Sequence, residues 1–326
     1  KIQTVGATPF ISLSYMPSVM TASDEVGEPK NWNEWSAIVR AIIERYSATR
    51  GIQDMYYEVW NEPDLFGKWK IGRGKDYLNL YKHAAIGARQ ATGTRPFKLC
   101  GPATTGLYKN WMDKFFPYVL GNNLKFDCFT WHRYDLDVFK YSEDVDSVEA
   151  WIESHPYFAG VEKIVTEMGP NSEAGNENNT KTGAAHLVAV MRELMGKVKY
   201  GFSFSVTGGW GIVDNQSPRY QALQLLSRLG NNRLGVFGDG TWVRAIGAQD
   251  GNNYQVLLAN YDPKGTHAEN VPVTFMNLRD QNFTLKRFLL GHGALPDIQV
   301  ATTEAILQTE ISMTANSVVL IELQPR

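Results

Sequence analysis

The sequence predicts an α/β protein in two parts: a parallel sheet flanked by helices over residues 1–230, and an antiparallel β-sandwich over residues 231–326. The first part is predicted by short β-rich runs that alternate with helical periods as far as Gly230. The second part is predicted by the loss of that helical period after Gly230, where strand-like runs and turn residues follow. A large core is expected, since 43% of the 326 residues are hydrophobic and 12% are aromatic.

The first part contains six predicted strands. They are Pro9–Tyr15, Met55–Asn61, Phe97–Gly101, Phe126–His132, Lys163–Glu167 and Gly201–Val206. Apolar residues from Trp35 to Tyr46 recur at helical spacing between the first two strands, with Asn31 or Asn33 as the N-cap and Gly51 beyond the end. Similar apolar stripes predict helices over 77–88, 111–119, 187–195 and 220–229. Strands that alternate with helices in this way lie parallel, with the helices outside the sheet.

The second part is predicted to consist of strands joined by tight turns. The strand-like runs are Trp242–Ala248, Tyr254–Tyr261, Val271–Leu278, Phe283–Leu290 and Val318–Leu323. Turn residues separate them at 250–253 (Asp-Gly-Asn-Asn) and 263–265 (Pro-Lys-Gly). This pattern is typical of a small antiparallel sandwich of about 95 residues.

Charge and hydropathy exclude several classes of protein. The formal net charge of −2 gives no basic surplus for a nucleic acid partner. No apolar stretch approaches the roughly 18 residues of a membrane span, and Lys1–Gly6 does not resemble a signal peptide, so the compartment stays open. The two cysteines, Cys100 and Cys128, make neither a disulfide framework nor a metal cluster, and we expect both to be small buried apolar residues.

Two glutamates at strand ends carry the chemical signal. Glu62 ends a predicted strand within the run Tyr57–Pro63 (YEVWNEP), and Glu167 ends another within the run Ile164–Gly169 (IVTEMG). Carboxylates at the carboxyl ends of parallel strands lie at the edge where barrel enzymes carry their chemistry. Two that converge can hydrolyse a glycoside, one by donating a proton and the other by attacking the anomeric carbon. A single glutamate beside a proline or glycine would more commonly be a solvated loop residue, so the pair carries the argument.

Ten segments form a recognisable set of motifs in chain order. They are Pro9–Pro17, Trp35 with Arg45-Tyr46, Tyr57–Pro63, Trp69, Tyr77 with Leu80-Tyr81, Gly101–Ala103, His132 with Tyr134, Thr166-Glu167, Gly208–Gly211 and Pro218–Leu229. Together they resemble glycoside hydrolase family 39. That family contains β-xylosidases, α-L-iduronidases and related retaining enzymes built on a (β/α)8 TIM barrel. The resemblance therefore implies such a barrel from about Lys1 to Gly230, and the following sandwich also suits the family.

The resemblance also assigns roles within the site. Glu62 matches the acid/base, Glu167 matches the nucleophile, and Asn61 matches the residue that holds the sugar 2-hydroxyl. His132 and Tyr134 would line the site, and Tyr134 could hydrogen-bond the nucleophile. No cofactor is implied.

The tryptophans and histidines complete the predicted site. Trp69, in the loop after Glu62, is the best candidate for a sugar-stacking platform, and Trp210 is the candidate for the floor of the sugar site; core packing is the alternative for either. The histidines show no metal-ligand spacing, so no catalytic metal is expected.

Measured against the family pattern, the first two βα units are missing. The strand Pro9–Tyr15 corresponds to the third of eight, so about six βα units remain and the predicted barrel is incomplete. Its two outer strands, Pro9–Tyr15 and Gly201–Val206, would each expose an edge. We expect a homo-oligomer; the alternatives are a second chain or a lost fragment that completes the barrel, or a natively incomplete barrel with a plugged interior.

Two functions follow from these observations. The first is a retaining glycosidase that cleaves β-linked xylosides, glucosides or oligosaccharides by double displacement, with activity reduced by the missing walls. The alternative is a catalytically weak or inactive carbohydrate-binding scaffold derived from such an enzyme. Either function implies a carbohydrate ligand and no membrane or nucleic acid partner. Retention of the site residues at matching positions favours the enzyme.

Overall fold

The computed structural model describes residues 2–173, 177–205, 216–279, 282–302 and 304–326. The helices in these ranges are α1 (Trp32–Ile43), α2 (Tyr77–Gln90), α3 (Lys109–Gly121), α4 (Phe139–Glu153), α5 (Lys181–Leu194) and α6 (Pro218–Leu226). The first six strands are β1 (Phe10–Leu13), β2 (Met55–Val59), β3 (Phe97–Thr104), β4 (Cys128–Tyr134), β5 (Glu162–Gly169) and β6 (Tyr200–Ser203). The later strands are β7 (Asn232–Leu234), β8 (Val243–Asp250), β9 (Asn253–Asn260), β10 (Glu269–Phe275), β11 (Asn282–Leu289), β12 (Gly293–Ala294), β13 (Ile298–Ala301), β14 (Leu307–Met313) and β15 (Ser317–Pro325).

The first six strands form one curled parallel sheet, as predicted. Their spatial order follows the chain, β1-β2-β3-β4-β5-β6, so each described strand pairs with its neighbour in sequence. The register is direct, with Phe10 opposite Tyr56, Tyr56 opposite Lys98, and Cys100 opposite Cys128. The sheet therefore corresponds to part of a (β/α) barrel, with β1 and β6 as its outer strands.

Helix α1 shows how local sequence sets an element. The side chain of Asn31 accepts a hydrogen bond from the backbone N–H of Asn33 at 2.9 Å, which confirms Asn31 as the N-cap. Trp35, Val39 and Ile43 follow at spacings of four and are buried along one face. The helix then widens into a π-helical turn over Glu44–Thr49, before the chain leaves it near Gly51.

Helix α4 was not predicted. Its sequence, FKYSEDVDSVEAWIE, is dominated by polar and acidic residues, which obscure the apolar period. Nevertheless Tyr141, Val145, Val148 and Ile152 recur at spacings of four, three and four, and all four side chains are buried. A narrow apolar stripe is thus enough to form a helix when packing covers it.

The expectation for the cysteines was half right. Cys100 and Cys128 are both fully buried, as predicted, but the expectation that they are unpaired is wrong, because they form a disulfide. They face each other in the neighbouring strands β3 and β4, with their Cα atoms 4.6 Å apart. Their separation of 28 residues in sequence does not reveal this pairing, since it depends on the register of the sheet.

The C-terminal strands form separate antiparallel sheets. The larger has the order β12-β11-β15-β9-β8-β7, with β13 also paired to β11, and the smaller pairs β10 with β14. The predicted turn at 250–253 joins β8 to β9, with Asp250 opposite Asn253. One apolar core contains residues of both sheets, among them Leu258, Phe283 and Ile321 from the larger sheet and Phe275 and Met313 from the smaller.

The chain divides into two compact units that interleave in sequence. The first contains residues 1–133, 144–168 and 196–202, and the second contains 134–143, 169–195 and 203–326. The predicted boundary at residues 230/231 follows the change from helices to strands, whereas compactness groups α5 and α6 with the C-terminal strands. Within the described ranges, the helices are all too short or too polar to span a bilayer.

Candidate active site

Glu62 follows β2 on an unusual stretch of backbone. Trp60 and Glu62 both have left-handed conformations, with φ of 75° and 44°. For residues with a side chain this conformation costs roughly 1–2 kcal/mol each, so surrounding contacts must stabilise it. The backbone N–H of Glu62 donates to the carbonyl of Ala103 at 2.9 Å, and the N–H of Phe66 donates to the Glu62 carbonyl at 2.7 Å. The peptide around Glu62 is therefore fixed from both sides.

Glu62, His132 and Glu167 converge although they lie on three different strands or strand ends. Nδ1 of His132 lies 2.8 Å from Oε1 of Glu62 and 3.5 Å from Oε2 of Glu167. One ligand atom from each of the three side chains lies within 4.8 Å of the others. The glutamate side chains are 13% and 19% exposed, and that of His132 is 1% exposed. The two carboxylates thus face one space that solvent can reach, with the imidazole between them.

The surroundings of the His132 imidazole shift its pKa in two opposite directions. Burial by itself would lower the pKa of His132, because a buried cation loses its hydration. The hydrogen bond to Glu62 and the negative charges around the ring outweigh that effect, and the pKa is raised above its ordinary value. His132 is therefore suited to donate the Nδ1 proton toward Glu62.

Asn61 and Tyr15 form the adjoining part of the site. The amide nitrogen of Asn61 donates to the hydroxyl of Tyr15 at 3.4 Å. Burial raises the pKa of this hydroxyl, the hydrogen bond from Asn61 opposes the rise, and the charges of the two glutamates add to it. Tyr15 was not among the predicted site residues. Its position directly after β1, at the same sheet edge as Glu62, is the signal that could have found it.

A third carboxyl group lies nearby. Glu58, on β2, is 4% exposed, and the hydroxyl of Thr166 donates to its Oε1 at 2.9 Å. Burial raises the pKa of Glu58, and the neighbouring His132 opposes this rise. Glu58 was not among the predicted site residues, because it lies within a strand and the predicted carboxylates lie at strand ends.

Tyr134 ends β4, and its ring lies against Gly169, the last residue of β5. A Cβ atom at position 169 would approach the ring to 3.2 Å, so glycine leaves room for the tyrosine. The predicted hydrogen bond from Tyr134 to Glu167 stays a prediction.

The expectation that Trp69 is a sugar platform is wrong. Trp69 is 0% exposed, and its ring packs against Trp60 and Trp32 with the ammonium group of Lys75 4.6 Å from the ring centre. A stacking platform needs one ring face open to the sugar, whereas this ring is enclosed by core residues. Its place in the loop after Glu62 did not reveal that burial. Trp210, the other candidate, lies outside the described residues.

The same three converging side chains are the described residues that could together ligate a metal ion. Carboxylate oxygens and an imidazole nitrogen are suitable ligands for several divalent ions. The 2.8 Å distance between His132 and Glu62 is, however, that of a direct hydrogen bond. The expectation that the site works without a metal stays a prediction.

The sequence of this chain is similar to those of known glycosidases. Residues 2–186, more than half of the chain, match the model of glycosyl hydrolases family 39. A β-xylosidase of Caldicellulosiruptor saccharolyticus is 23% identical, and the alignment covers 86% of this chain and 64% of that protein. The chain therefore spans somewhat less than two thirds of the length of this curated relative.

Solved structures share the fold. A monomeric β-xylosidase from Caulobacter crescentus CB15 superposes with a TM-score of 0.79 at 21% identity, covering 99% of this chain and 82% of that one. A family 39 enzyme from Xanthomonas axonopodis pv. citri gives a TM-score of 0.80 at 18% identity, covering 100% and 81%. At these identities the likeness concerns the fold.

Proposed function

The chain belongs to glycosyl hydrolase family 39, and on that premise we propose that it is a retaining glycosidase acting on β-linked sugars. The observation that carries the proposal is the closeness of Glu62 and Glu167, each of which offers a carboxylate oxygen within 4.8 Å of one offered by the other. Carboxyl groups about 5–5.5 Å apart suit a retaining enzyme, whereas an inverting enzyme needs about 6.5–9.5 Å to admit a water molecule.

In the first step Glu167 acts as the nucleophile. A carboxylate oxygen of Glu167 attacks the anomeric carbon, and the bond from that carbon to the leaving oxygen breaks. The electron pair of the broken bond stays on the leaving oxygen, which takes the proton of Glu62. A covalent glycosyl-enzyme and a free alcohol result.

In the second step Glu62 acts as the base. Its carboxylate removes a proton from water as the water oxygen attacks the anomeric carbon from the other face. The ester bond to Glu167 breaks, and Glu167 leaves with the electron pair as a carboxylate. Two inversions give net retention of the anomeric configuration, and Glu62 ends protonated for the next cycle.

His132 and Asn61 support this cycle. Nδ1 of His132 binds Oε1 of Glu62, and among the described residues no side chain hydrogen-bonds the other oxygen, which is then the one to deliver the proton. Asn61, tied to Tyr15, is suited to hold the sugar 2-hydroxyl, an interaction that strengthens in the transition state.

Two similar proteins support a choice of substrate. The proteins of Caldicellulosiruptor saccharolyticus and Caulobacter crescentus CB15 are β-xylosidases, so β-xylosides and the closely similar β-glucosides are the first substrates to try. In this fold the loops at the carboxyl ends of the strands determine the sugar, and residues 206–215, which follow the last predicted barrel strand, lie outside the described residues.

The first experiment tests which glutamate is the nucleophile and which is the acid/base. We expect Glu167→Ala to lose turnover on nitrophenyl β-xyloside by a factor of 10⁴ or so, and azide to restore it with an inverted glycosyl azide. Glu62→Ala should keep activity on dinitrophenyl substrates, whose leaving group needs no proton, and azide should then give a retained product. Products are assigned by NMR.

Glu34→Gln, a change of an exposed glutamate in α1, is the matched control and should behave as wild type. Ordinary turnover by Glu167→Ala would refute the assignment. Sugar binding by calorimetry without turnover on any β-glycoside would instead favour a carbohydrate-binding scaffold.

A further inference from the structure

Two hydrogen bonds cross the inside of the curled sheet, and both join β2 to β5. The hydroxyl of Thr166 donates to Glu58, which we call the upper cross-sheet bond, and the hydroxyl of Tyr56 donates to Glu162 at 2.8 Å, which we call the lower cross-sheet bond. Strands β3 and β4 lie between β2 and β5 in the sheet. Side chains of such distant strands meet only because the sheet curls around a shared interior.

The upper cross-sheet bond lies next to the two proposed catalytic carboxylates in sequence. Glu58 precedes Glu62 by four residues on the segment that leaves β2, and Thr166 directly precedes Glu167 on β5. The bond therefore links the two backbone segments whose spacing decides how far apart the carboxylates lie. In a closed barrel that spacing is also fixed by a complete ring of strands. Within the described sheet, the upper cross-sheet bond adds a direct constraint on that spacing.

The cost of burying Glu58 supports a specific role. A carboxyl group that is almost wholly buried loses its hydration, and such groups are rarely kept without a partner or a function. The ion pairs found among the described residues do not include Glu58. Burial raises its pKa, whereas the nearby His132 and the hydrogen bond from Thr166 oppose the rise, so these two contacts offset part of the cost of burial.

We propose that Glu58 and Thr166 are positioning residues, whose hydrogen bond across the sheet interior sets the separation between Glu62 and Glu167. This inference rests on the proposed function and extends it to residues that do not touch the reacting atoms. The upper cross-sheet bond constrains the distance between the carboxylates of Glu62 and Glu167, on which double displacement depends. An error of about 1 Å at such a site can cost on the order of a hundredfold in rate.

The test compares Thr166→Val, which keeps the shape of the side chain but removes the donor, with Thr166→Ser, which keeps the donor. We expect Thr166→Val to lower kcat by roughly ten- to a hundredfold with KM changed by less than about threefold, and Thr166→Ser to restore most of kcat. A KM-neutral loss of kcat is expected because the transition state, rather than ground-state binding, depends on the carboxylate spacing.

Tyr56→Phe is the matched control, since it removes the lower cross-sheet bond between the same two strands and leaves the upper one. It should lower the melting temperature while kcat stays within about threefold of wild type. The single variant Glu58→Ala and the double variant Glu58→Ala, Thr166→Val should lose kcat by the same factor. Once Glu58 is replaced the upper cross-sheet bond is already absent, so the second change removes nothing more. Circular dichroism at the assay temperature verifies that every variant is folded.

Three results would overturn the inference. They are wild-type kcat in Thr166→Val, a loss in Tyr56→Phe equal to that in Thr166→Val, and losses that multiply in the double variant. If wild type itself cleaves no β-glycoside, the proposed function fails and this inference with it. If wild type is active and Thr166→Val is equally active, the positioning role alone fails.

Discussion

At the scale of single residues, burial decides what a titratable group does. His186 of α5 is buried, and its Nε2 lies 2.8 Å from the carbonyl oxygen of Asp135, beside the rings of Tyr141 and Tyr261. Burial lowers its pKa to about 4, from an ordinary value of 6.5, although the hydrogen bond to Asp135 opposes this effect. The folded protein therefore prefers neutral His186.

The sign of the resulting pH dependence follows directly. Because the folded state favours neutral His186, this residue stabilises the fold fully above pH 6.5. As the pH falls toward 4, up to about 3 kcal/mol of the free energy of unfolding is lost. We expect His186→Gln, which can also donate to Asp135, to flatten this part of the stability curve. Urea unfolding at several pH values between 4 and 7 measures it. Identical slopes in both proteins would show that other groups control the acid limb.

The same scale shows what the sequence could reveal about the site. The convergence of Glu62 and Glu167 could be predicted because strand ends are recognisable from the alternation of strands and helices, and His132 was predicted to lie beside them because it accompanies Tyr134 in a family motif. Glu58 and Thr166 were missed since a bond across a sheet interior depends on curvature, which no local pattern encodes. Trp69 was misassigned because a loop position does not disclose whether a ring is enclosed.

At the scale of elements, the disulfide between β3 and β4 is the covalent link of the sheet. Its loop of 28 residues corresponds to about 3.5 kcal/mol in the chain-entropy model. We expect the paired change Cys100→Ala and Cys128→Ala to lower the free energy of unfolding by up to that amount, as measured with guanidinium. Since both sulfurs are buried, reductant alone should leave the folded protein unchanged; free thiols appearing without denaturant would contradict the buried pairing.

Elements differ in how well they could be predicted. All six strands of the parallel sheet were anticipated, because each is a short β-rich run between helical periods. Helix α4 was not predicted because its many charged residues obscure the apolar period. Strand β14 was not predicted either, although it pairs along its whole length with β10. The pairing of β10 with β14 joins segments separated by more than 30 residues, and such partners cannot be read from a local window.

At the scale of the whole molecule, the strands β1 and β6 form the two outer edges of the described parallel sheet. Each has one neighbour within the described strands, and Phe10 of β1 contacts Phe202 of β6, with ring centres 5.4 Å apart. Phe202 remains 39% exposed and Tyr200 beside it 42% exposed. Exposed aromatic residues on unpaired strands favour association.

We therefore expect the chain to self-associate. Sedimentation velocity should show a species larger than 36.6 kDa at micromolar concentration, and Phe202→Lys should shift it toward the monomer. Phe237→Lys, at a residue that is 96% exposed but outside the parallel sheet, is the control and should leave the distribution unchanged. A monomer at all concentrations would show that the Phe10–Phe202 contact is sufficient protection for these strands.

The strictly sequential order of the six parallel strands has a consequence for synthesis on the ribosome. Each new strand of the described sheet finds its partner already made, so these six strands can pair vectorially as far as residue 203. The second compact unit groups segments 134–143 and 169–195 with residues from 203 onward, so those segments meet most of their partners only after the six strands have been made. A nascent chain stalled shortly after strand β6 would therefore carry a paired sheet together with two segments still awaiting their partners.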